Sequence, residues 1–501
     1  MGIIGVIFLS SGLFLGWSLG SQDASNVFGT AVATRMVKFK TAALVCSIFV
    51  TLGAVISGVG TADTLGSLGA VNAIGGAFVT AFSAAFTACV VSKIGLTISV
   101  SQAVVGAVIG WNWFSQSVTD TDSLVKMAGT WVACPVISGL LAIPLFAFFS
   151  KISKRVKLSL LQRDVLLRAA LVVTGAFGSY SLGANNMANV VGVFVPVVPF
   201  TDFMLFGYKV TAIHQLFFIG SLAVSVGVYT YSYKVMMTVG KGLMPLTPFA
   251  AWVVVLCQGV VLFLFASEGL EYFLAARGLP TIPLVPVSST QAVIGAVLGI
   301  GLYKGSKNIS WKMLWKIMIG WVAAPVITAV CCFIFLFIMQ NVFSQPVYIP
   351  KTYTLSADVL NEIAAKTDLP AGDFRSLQGR EFRSGQALVK AVRKEYPQLT
   401  NAEARKILSY AEVVRTKVVA EKIKLLPAEM FSEKQLADIA ALSGRTFSHT
   451  WVMQNILDAE NSEWAILEEN VLNKQENNLR KRRIRILEKV FKLEEPALEG
   501  G

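Results

Sequence analysis

Apolar runs of the length that crosses a bilayer, about 20 residues, fill the first two thirds of the chain. Six are unbroken: residues 41–59, 71–92, 128–150, 210–231, 247–267 and 317–340. Six more, 1–19, 25–34, 94–110, 165–182, 187–199 and 286–303, are short or broken by Gly, Ser, Asn and Pro. Backbone that leaves the helix at membrane depth persists only where protein or a wet cavity satisfies its polar groups. The weak segments are therefore expected to pack inward and the clear ones to face lipid. Residues 1–19 lack a basic n-region and a cleavage site, and read as a retained first helix. After Phe343 the pattern changes: a linker-like stretch with Gln345-Pro346 and Ile349-Pro350 leads into amphipathic periodicity. Ser356–Ile363, Thr400–Lys424 and Ser432–Leu442 read as short helices, and Glu460–Lys492 as a longer charged one.

The polar interruptions recur. Gly20-Ser-Gln-Asp-Ala-Ser-Asn-Val-Phe-Gly-Thr-Ala-Val32 has a near copy in Gly183-Ala-Asn-Asn-Met-Ala-Asn-Val-Val-Gly-Val-Phe-Val195, with Asp23 replaced by Asn186 and Asn26 repeated as Asn189. Ser99-Val-Ser-Gln-Ala-Val-Val-Gly106 returns as Ser288-Ser-Thr-Gln-Ala-Val-Ile-Gly295, and Trp131-Val-Ala-Cys-Pro135 as Trp321-Val-Ala-Ala-Pro325. Three blocks in one order mark a duplication. Basic clusters at Arg35-Lys38-Lys40, Lys151–Lys157 with Arg163 and Arg168, Lys234 and Lys241, and Lys304–Lys316 all fall on one side when placed in the cytoplasm. The two halves then run in opposite senses, an inverted repeat, and both termini come out extracytoplasmic. The expected organisation is membrane repeat 1 (1–150), a basic cytoplasmic linker (151–164), an inverted membrane repeat 2 (165–343) and a soluble, mostly helical C-terminal region (344–501).

Composition agrees with this division. Over the whole chain 15% of residues are charged and 54% hydrophobic, against roughly 25% charged in soluble domains. Residues 1–343 hold 19 basic and 8 acidic residues; the remainder holds 24 and 22. The net charge of +13 thus belongs to membrane loops and implies no nucleic-acid partner. The six cysteines lie in or beside apolar runs without metal-ligand spacing, and His214 and His449 have no partner pattern. No catalytic constellation is present, so an enzyme is not expected. The basic run Arg480–Arg485 reads as a solvated helix face.

A polyanion held in the bilayer needs donors and compensating charge, because an isolated buried ion costs on the order of 20 kcal/mol in an idealised low-dielectric medium. Helix N-termini supply unpaired N–H groups and about half a positive charge each. Ser99, Ser101 and Gln102, and Ser288, Ser289, Thr290 and Gln291, stand where two half-helices would begin. They would cap those helices and add side-chain donors for an anion. Asp23, Asn26, Asn186 and Asn189 offer oxygens for a cation. Asp23, the one charge among them, would hold Na⁺ or carry a proton. A single Ser/Gln run could be interhelical glue; two at matched places favour a binding site, while Gly29, Gly106, Gly192 and Gly295 are expected to serve helix packing.

At these residues the chain resembles the inorganic phosphate transporter (PiT) family, which carries a Gly-Ala-Asn-Asp/Asn-X-Ala-Asn motif in each half and a Val-Ser-Thr-Thr-His-Ala-type block after it. Gly183–Asn189 matches the first well; Gly20–Asn26 departs at Ser21, Gln22 and Ser25. The second appears as Val287-Ser-Ser-Thr-Gln-Ala292 and more loosely as Ile98-Ser-Val-Ser-Gln-Ala103, with Gln102 and Gln291 in place of His. The resemblance covers residues 1–343 and implies an all-α polytopic membrane protein. It implies about twelve transmembrane segments in two inverted repeats with broken or re-entrant helices, and cation-coupled phosphate import by alternating access. Loss of the titratable His favours Na⁺ over H⁺; no other cofactor is implied. Sulfate as substrate, a passive anion channel and a membrane sensor signalling through the C-terminal region are the competing expectations, and a homo-oligomer is compatible with the sequence.

Overall fold

Hydroxyl side chains in the apolar helices bond back onto their own backbone. The computed structural model describes residues 3–493 apart from 70, 94–97, 198–199, 201, 206–207, 240–245, 306–308, 368 and 370. In its first helix, Ile3–Ala33 (α1), Ser21 donates to the carbonyl of Ser18 at 2.7 Å, Ser25 to that of Gln22, and Thr34 just beyond the end to that of Thr30 at 2.7 Å. In Leu160–Val191 (α7), Thr174 and Ser181 do the same to Ala170 and Phe177. Such bonds satisfy a hydroxyl without opening the helix. The expected breaks at Gly20–Asn26 and Gly183–Asn189 are absent; the second motif has no hydroxyl, and its asparagines spend their amide N–H groups on side-chain and carbonyl oxygens instead. Segments 1–19 and 25–34 are one helix, and 165–182 continues through the second motif. Residues 94–97, 198–199 and Lys241, which figured in the expected segments and basic clusters, lie outside the described residues.

The remaining helices of this region are Phe39–Ser57 (α2), Val59–Leu68 (α3), Ile74–Lys93 (α4), Val100–Ser115 (α5) and Thr121–Arg155 (α6) in the first half. A two-stranded ribbon, Phe203–Leu205 (β1) with Tyr208–Val210 (β2), precedes Ala212–Thr230 (α8), Ser232–Val239 (α9), Pro248–Leu264 (α10), Glu268–Ala275 (α11), Ser289–Tyr303 (α12) and Trp311–Asn341 (α13). Among the described residues six helices are long and apolar enough to cross a membrane, or seven if Pro248–Leu264 and Glu268–Ala275 form one broken span. At about 1.5 Å per residue, the 15-residue α12 falls short of a bilayer's roughly 30 Å. Burial only partly follows the expectation: α5 and α12 are buried along most of their length, but so are the strongly apolar α4 and α10.

Lipid is as apolar as leucine, so membrane helices gain from close backbone approach more than from hydrophobic burial. The matched glycines provide it reciprocally. A Cβ on Gly106 would meet the Pro325 carbonyl, and one on Gly295 the Pro135 carbonyl. Likewise Gly20 faces the backbone of Val224, and Gly183 that of Val50. Each half's short helix thus lies against the other half's long proline-containing helix.

By contacts the chain forms two compact units, Met1–Glu271 with Ile282–Ile349, and Tyr272–Thr281 with Pro350–Gly501. The second contains Tyr353–Thr354 (β3), Ala357–Lys366 (α14), Glu381–Phe382 (β4), Gly385–Glu395 (α15), Asn401–Ala411 (α16), Thr416–Lys417 (β5), Ala420–Ile423 (α17), Glu433–Ala441 (α18), Thr446–Phe447 (β6), Thr450–Glu460 (α19) and Lys474–Phe491 (α20). It is a tandem duplication that the sequence reading missed. Leu377-Gln-Gly-Arg-Glu-Phe382 and Leu442-Ser-Gly-Arg-Thr-Phe447 each turn on a glycine at positive φ, +76° and +83°. Gly379 and Gly444 donate their N–H to Leu355 and Val418, both at 2.8 Å. β3 pairs with β4 and β5 with β6, and closing bridges Tyr353–Glu412 and Thr416–Lys492 repeat as well.

Two helices in this unit are shorter than expected. Thr400–Lys424 is split by β5, and 461–473 is not helical because Asn477 grips the Leu467 backbone through both amide atoms. The basic run is solvated in part, with Lys481 and Arg485 exposed, while Arg480 and Arg483 are held against the unit's own backbone. Arg480 bonds Glu476 and the carbonyls of Ser462 and Ala465, Lys481 pairs with Glu469 at 2.9 Å, and Arg483 donates to the Met430 carbonyl at 2.7 Å.

Overpacking a tight backbone contact costs about 1–3 kcal/mol. Gly106→Ala is expected to lower the thermal midpoint of the detergent-solubilised protein by several degrees. Gly66→Ala, where a Cβ meets nothing within 4 Å, should leave it unchanged or raise it slightly. Equal midpoints for the two variants would refute the close approach.

Candidate functional site

Three residues apart on a helix means one face, so α1 presents Asp23 with Asn26 and α7 presents Asn186 with Asn189. The two faces meet. Asn26 Nδ2 donates to Asp23 Oδ1 and Asn186 Nδ2 to Asp23 Oδ2, both at 3.2 Å. Asn26 Nδ2 also reaches Ser289 Oγ and Thr290 Oγ1, each at 3.2 Å. On the other side Asn189 Nδ2 donates to Ser101 Oγ at 2.8 Å and lies 3.4 Å from Asn186 Oδ1. One continuous hydrogen-bonded chain therefore runs from the start of α12, through α1 and α7, to the start of α5. Its two ends are equivalent under the duplication: Asn26 meets Thr290 as Asn189 meets Ser101.

The starts of α5 and α12 are capped as their sequences suggest. Ser99 and Ser288 are N-caps whose hydroxyls accept from the backbone N–H of Gln102 at 3.4 Å and Gln291 at 3.3 Å. All eleven residues singled out in the sequence thus gather at one place. All are buried except Asn26 and Thr290, which keep partial exposure and give the network its opening to solvent. Among the described residues no Lys or Arg side chain joins the network by a hydrogen bond. The oxygens Asn189 Oδ1, Gln102 Oε1 and Gln291 Oε1 are buried without a hydrogen-bond partner there. A buried group left so costs about 1–3 kcal/mol.

Asn185 was passed over in the sequence, although it sits within the repeated motif. Fully buried, it accepts from Val287 N at 2.9 Å and donates toward the carbonyls of Val285 at 3.3 Å and Leu262 at 3.5 Å. These bonds supply partners to the backbone of the non-helical stretch just before α12. Val285 N reaches the Phe265 carbonyl, Pro286 has no N–H, and the Val287 carbonyl faces Ser101 Oγ at 3.5 Å. Irregular backbone can lie deep in a membrane only on such terms. From α6, Ser138 Oγ binds the Ala292 carbonyl at 2.6 Å and fixes the first turn of α12. Gln258, the one glutamine of the apolar run 247–267, is likewise fully buried, and neither of its amide atoms has a partner among the described residues.

The phosphate transporter family matches this chain over residues 19–271 and 279–468. The chain belongs to that family. The match runs past residue 343, where the resemblance read from motifs stopped, and takes in most of the second unit. The family is one of transporters and not of enzymes, and with its apolar helices this member is a multi-pass membrane protein. A protein of Methanocaldococcus jannaschii named as a candidate phosphate permease is 26% identical over 322 residues, 64% of this chain and 93% of its own. Proteins so named from Pyrococcus furiosus and Haemophilus influenzae are 23% and 22% identical, covering 67% and 66% of this chain and 96% of each relative. Among solved structures, a sodium-dependent phosphate transporter superposes with a TM-score of 0.53 at 21% identity, over 68% of this chain and 99% of that one. The fold of this family member is shared with that transporter.

Asn185→Leu would strip partners from the Val285 carbonyl and the Val287 N–H. At about 1–3 kcal/mol for each buried group left unpaired, thermal unfolding in detergent is expected to shift down by several degrees. An unchanged midpoint would mean that the stretch is held by something else.

Proposed function

We propose that this protein imports inorganic phosphate across the cell membrane, coupled to Na⁺, by alternating access between two inverted repeats. The observation that carries the reading is the hydrogen-bonded chain linking the single carboxyl of Asp23 to both Ser/Thr blocks. The short helices α5 and α12 are read as re-entrant, with N-termini facing a tetrahedral anion. The basic loops lie in the cytoplasm and both termini outside. Family membership and the sodium-dependent neighbour support the substrate and the ion.

The network suggests how cation and anion are coupled. Na⁺ at Asp23 favours oxygen ligands, so the Asn26 and Asn186 amides would turn their carbonyl oxygens toward it. Asn189 Oδ1, already without a donor, would be a further ligand. Rotation of Asn26 withdraws its N–H from Ser289 and Thr290, whose hydroxyls then turn to donate to phosphate along with Ser101. Half-helix N–H groups supply the remaining donors. Having no Arg or Lys in the network avoids holding the anion too tightly for release.

Phosphate uptake into proteoliposomes should require an inward Na⁺ gradient and accumulate substrate against its own gradient. A passive channel would only equilibrate it. Asp23→Asn removes the one charge and should reduce gradient-driven uptake about 5- to 150-fold, in line with the 1–3 kcal/mol typical of coupling free energies. Retained Na⁺ dependence in that variant would exclude Asp23 from the cation site.

A further inference from the structure

Helices that start Ser/Thr-x-x-Gln/Glu usually close a capping box, the third residue's side chain reaching back to the N-cap N–H. Three helices of this chain do so: Gln162 accepts from Ser159 N at 3.0 Å, Glu403 from Thr400 N at 2.8 Å and Gln435 from Ser432 N at 3.1 Å. The two that start at the site do not. Ser99–Gln102 and Ser288–Gln291 have the same spacing and make the serine half of the box. Yet the Oε1 atoms of Gln102 and Gln291 are buried with no partner among the described residues. An arrangement the chain completes elsewhere is left open twice, at matched positions, each the next residue in the chain after Ser101 or Thr290 of the network.

We propose that Gln102 and Gln291 accept the P–OH hydrogens of bound phosphate and thereby set its preference over sulfate. The inference rests on the phosphate reading given above and deepens it. An amide oxygen can take either a hydrogen or a cation. In the first turn of a helix the axial dipole is positive, which disfavours a cation there and draws an anion in. A bare anion oxygen facing an amide oxygen is repelled; a protonated one donates to it. Phosphate keeps one or two hydrogens near neutral pH, whereas sulfate keeps none and would leave both acceptors unpaired. Sites built to bond a hydroxyl reject analogues lacking it far more strongly than apolar pockets discriminate by size. Arsenate, which carries As–OH groups, should be accepted like phosphate.

The test is radiolabelled phosphate uptake by the full chain in proteoliposomes, with arsenate and sulfate as competitors. The proteins compared are wild type, Gln102→Met, Gln291→Met, and the His variants at both positions, whose ring nitrogen can accept. Wild type should be inhibited by arsenate and hardly by sulfate. A wild type that takes up sulfate in preference would overturn the phosphate reading itself, whatever the variants do. Each Met variant should raise the phosphate KM tenfold or more with little change in the sulfate inhibition constant, and the His variants should restore the discrimination. Met variants that weaken both anions equally, or that shift only the Na⁺ half-saturation, would overturn the inference. Should a Met variant fail to elute as a monodisperse species, the His variants still decide, since loss of discrimination in a folded His variant refutes the acceptor role.

Discussion

The hydrogen bond between Asn186 and Asp23 joins the two halves of the membrane unit at their most polar point. A carboxyl buried between helices must be supplied with donors, because burial without them is prohibitive. Here one amide comes from the same helix and the other from its counterpart in the second half. Both amide-bearing helices are in turn bonded to hydroxyls at the starts of α12 and α5. Satisfying one acidic side chain therefore ties four helices together, the starts of α12 and α5 among them.

That convergence would be sterically blocked if the backbones could not come close. The glycines opposite Pro325 and Pro135 let α5 lie on α13 and α12 on α6, each across the boundary between halves. Neither half can complete its own packing alone. Such exchange packs the short helix of each half on the long helix of the other.

Much of this was legible in the sequence, for identifiable reasons. The N-caps at Ser99 and Ser288 were readable because capping is local chemistry within one turn. The pairing of polar motif with Ser/Gln block was readable because the duplication presented it twice. The supposed helix breaks were not, since a polar side chain that is satisfied within its helix or by a neighbouring one and a polar side chain that interrupts the helix look alike in a hydropathy pattern. Asn185 escaped because its role is set by residues 285–287, a hundred positions away. The burial of α4 and α10 is likewise a tertiary outcome. In the second unit, the duplicated Leu-x-Gly-Arg-x-Phe turns were too short a signal against otherwise divergent modules.

The two halves are not chemically equal, and the inequality constrains the mechanism. Asn186 is neutral where Asp23 is not. Asn185 pins the stretch leading into α12, whereas Gln22 at the corresponding place bonds Ser18 and Ser92. On the proposed reading, Asp23 gives the network one negative charge, and a phosphate entering without a cation would meet that charge with only helix ends to offset the repulsion. A cation at Asp23 removes the repulsion and, by turning Asn26, frees the hydroxyls that phosphate needs. Both effects act in the same direction, so on that reading bound cation and bound anion each favour the other. A second carboxylate at position 186 would demand a second positive charge before the anion could enter, and this chain, with its amide there, has no such demand.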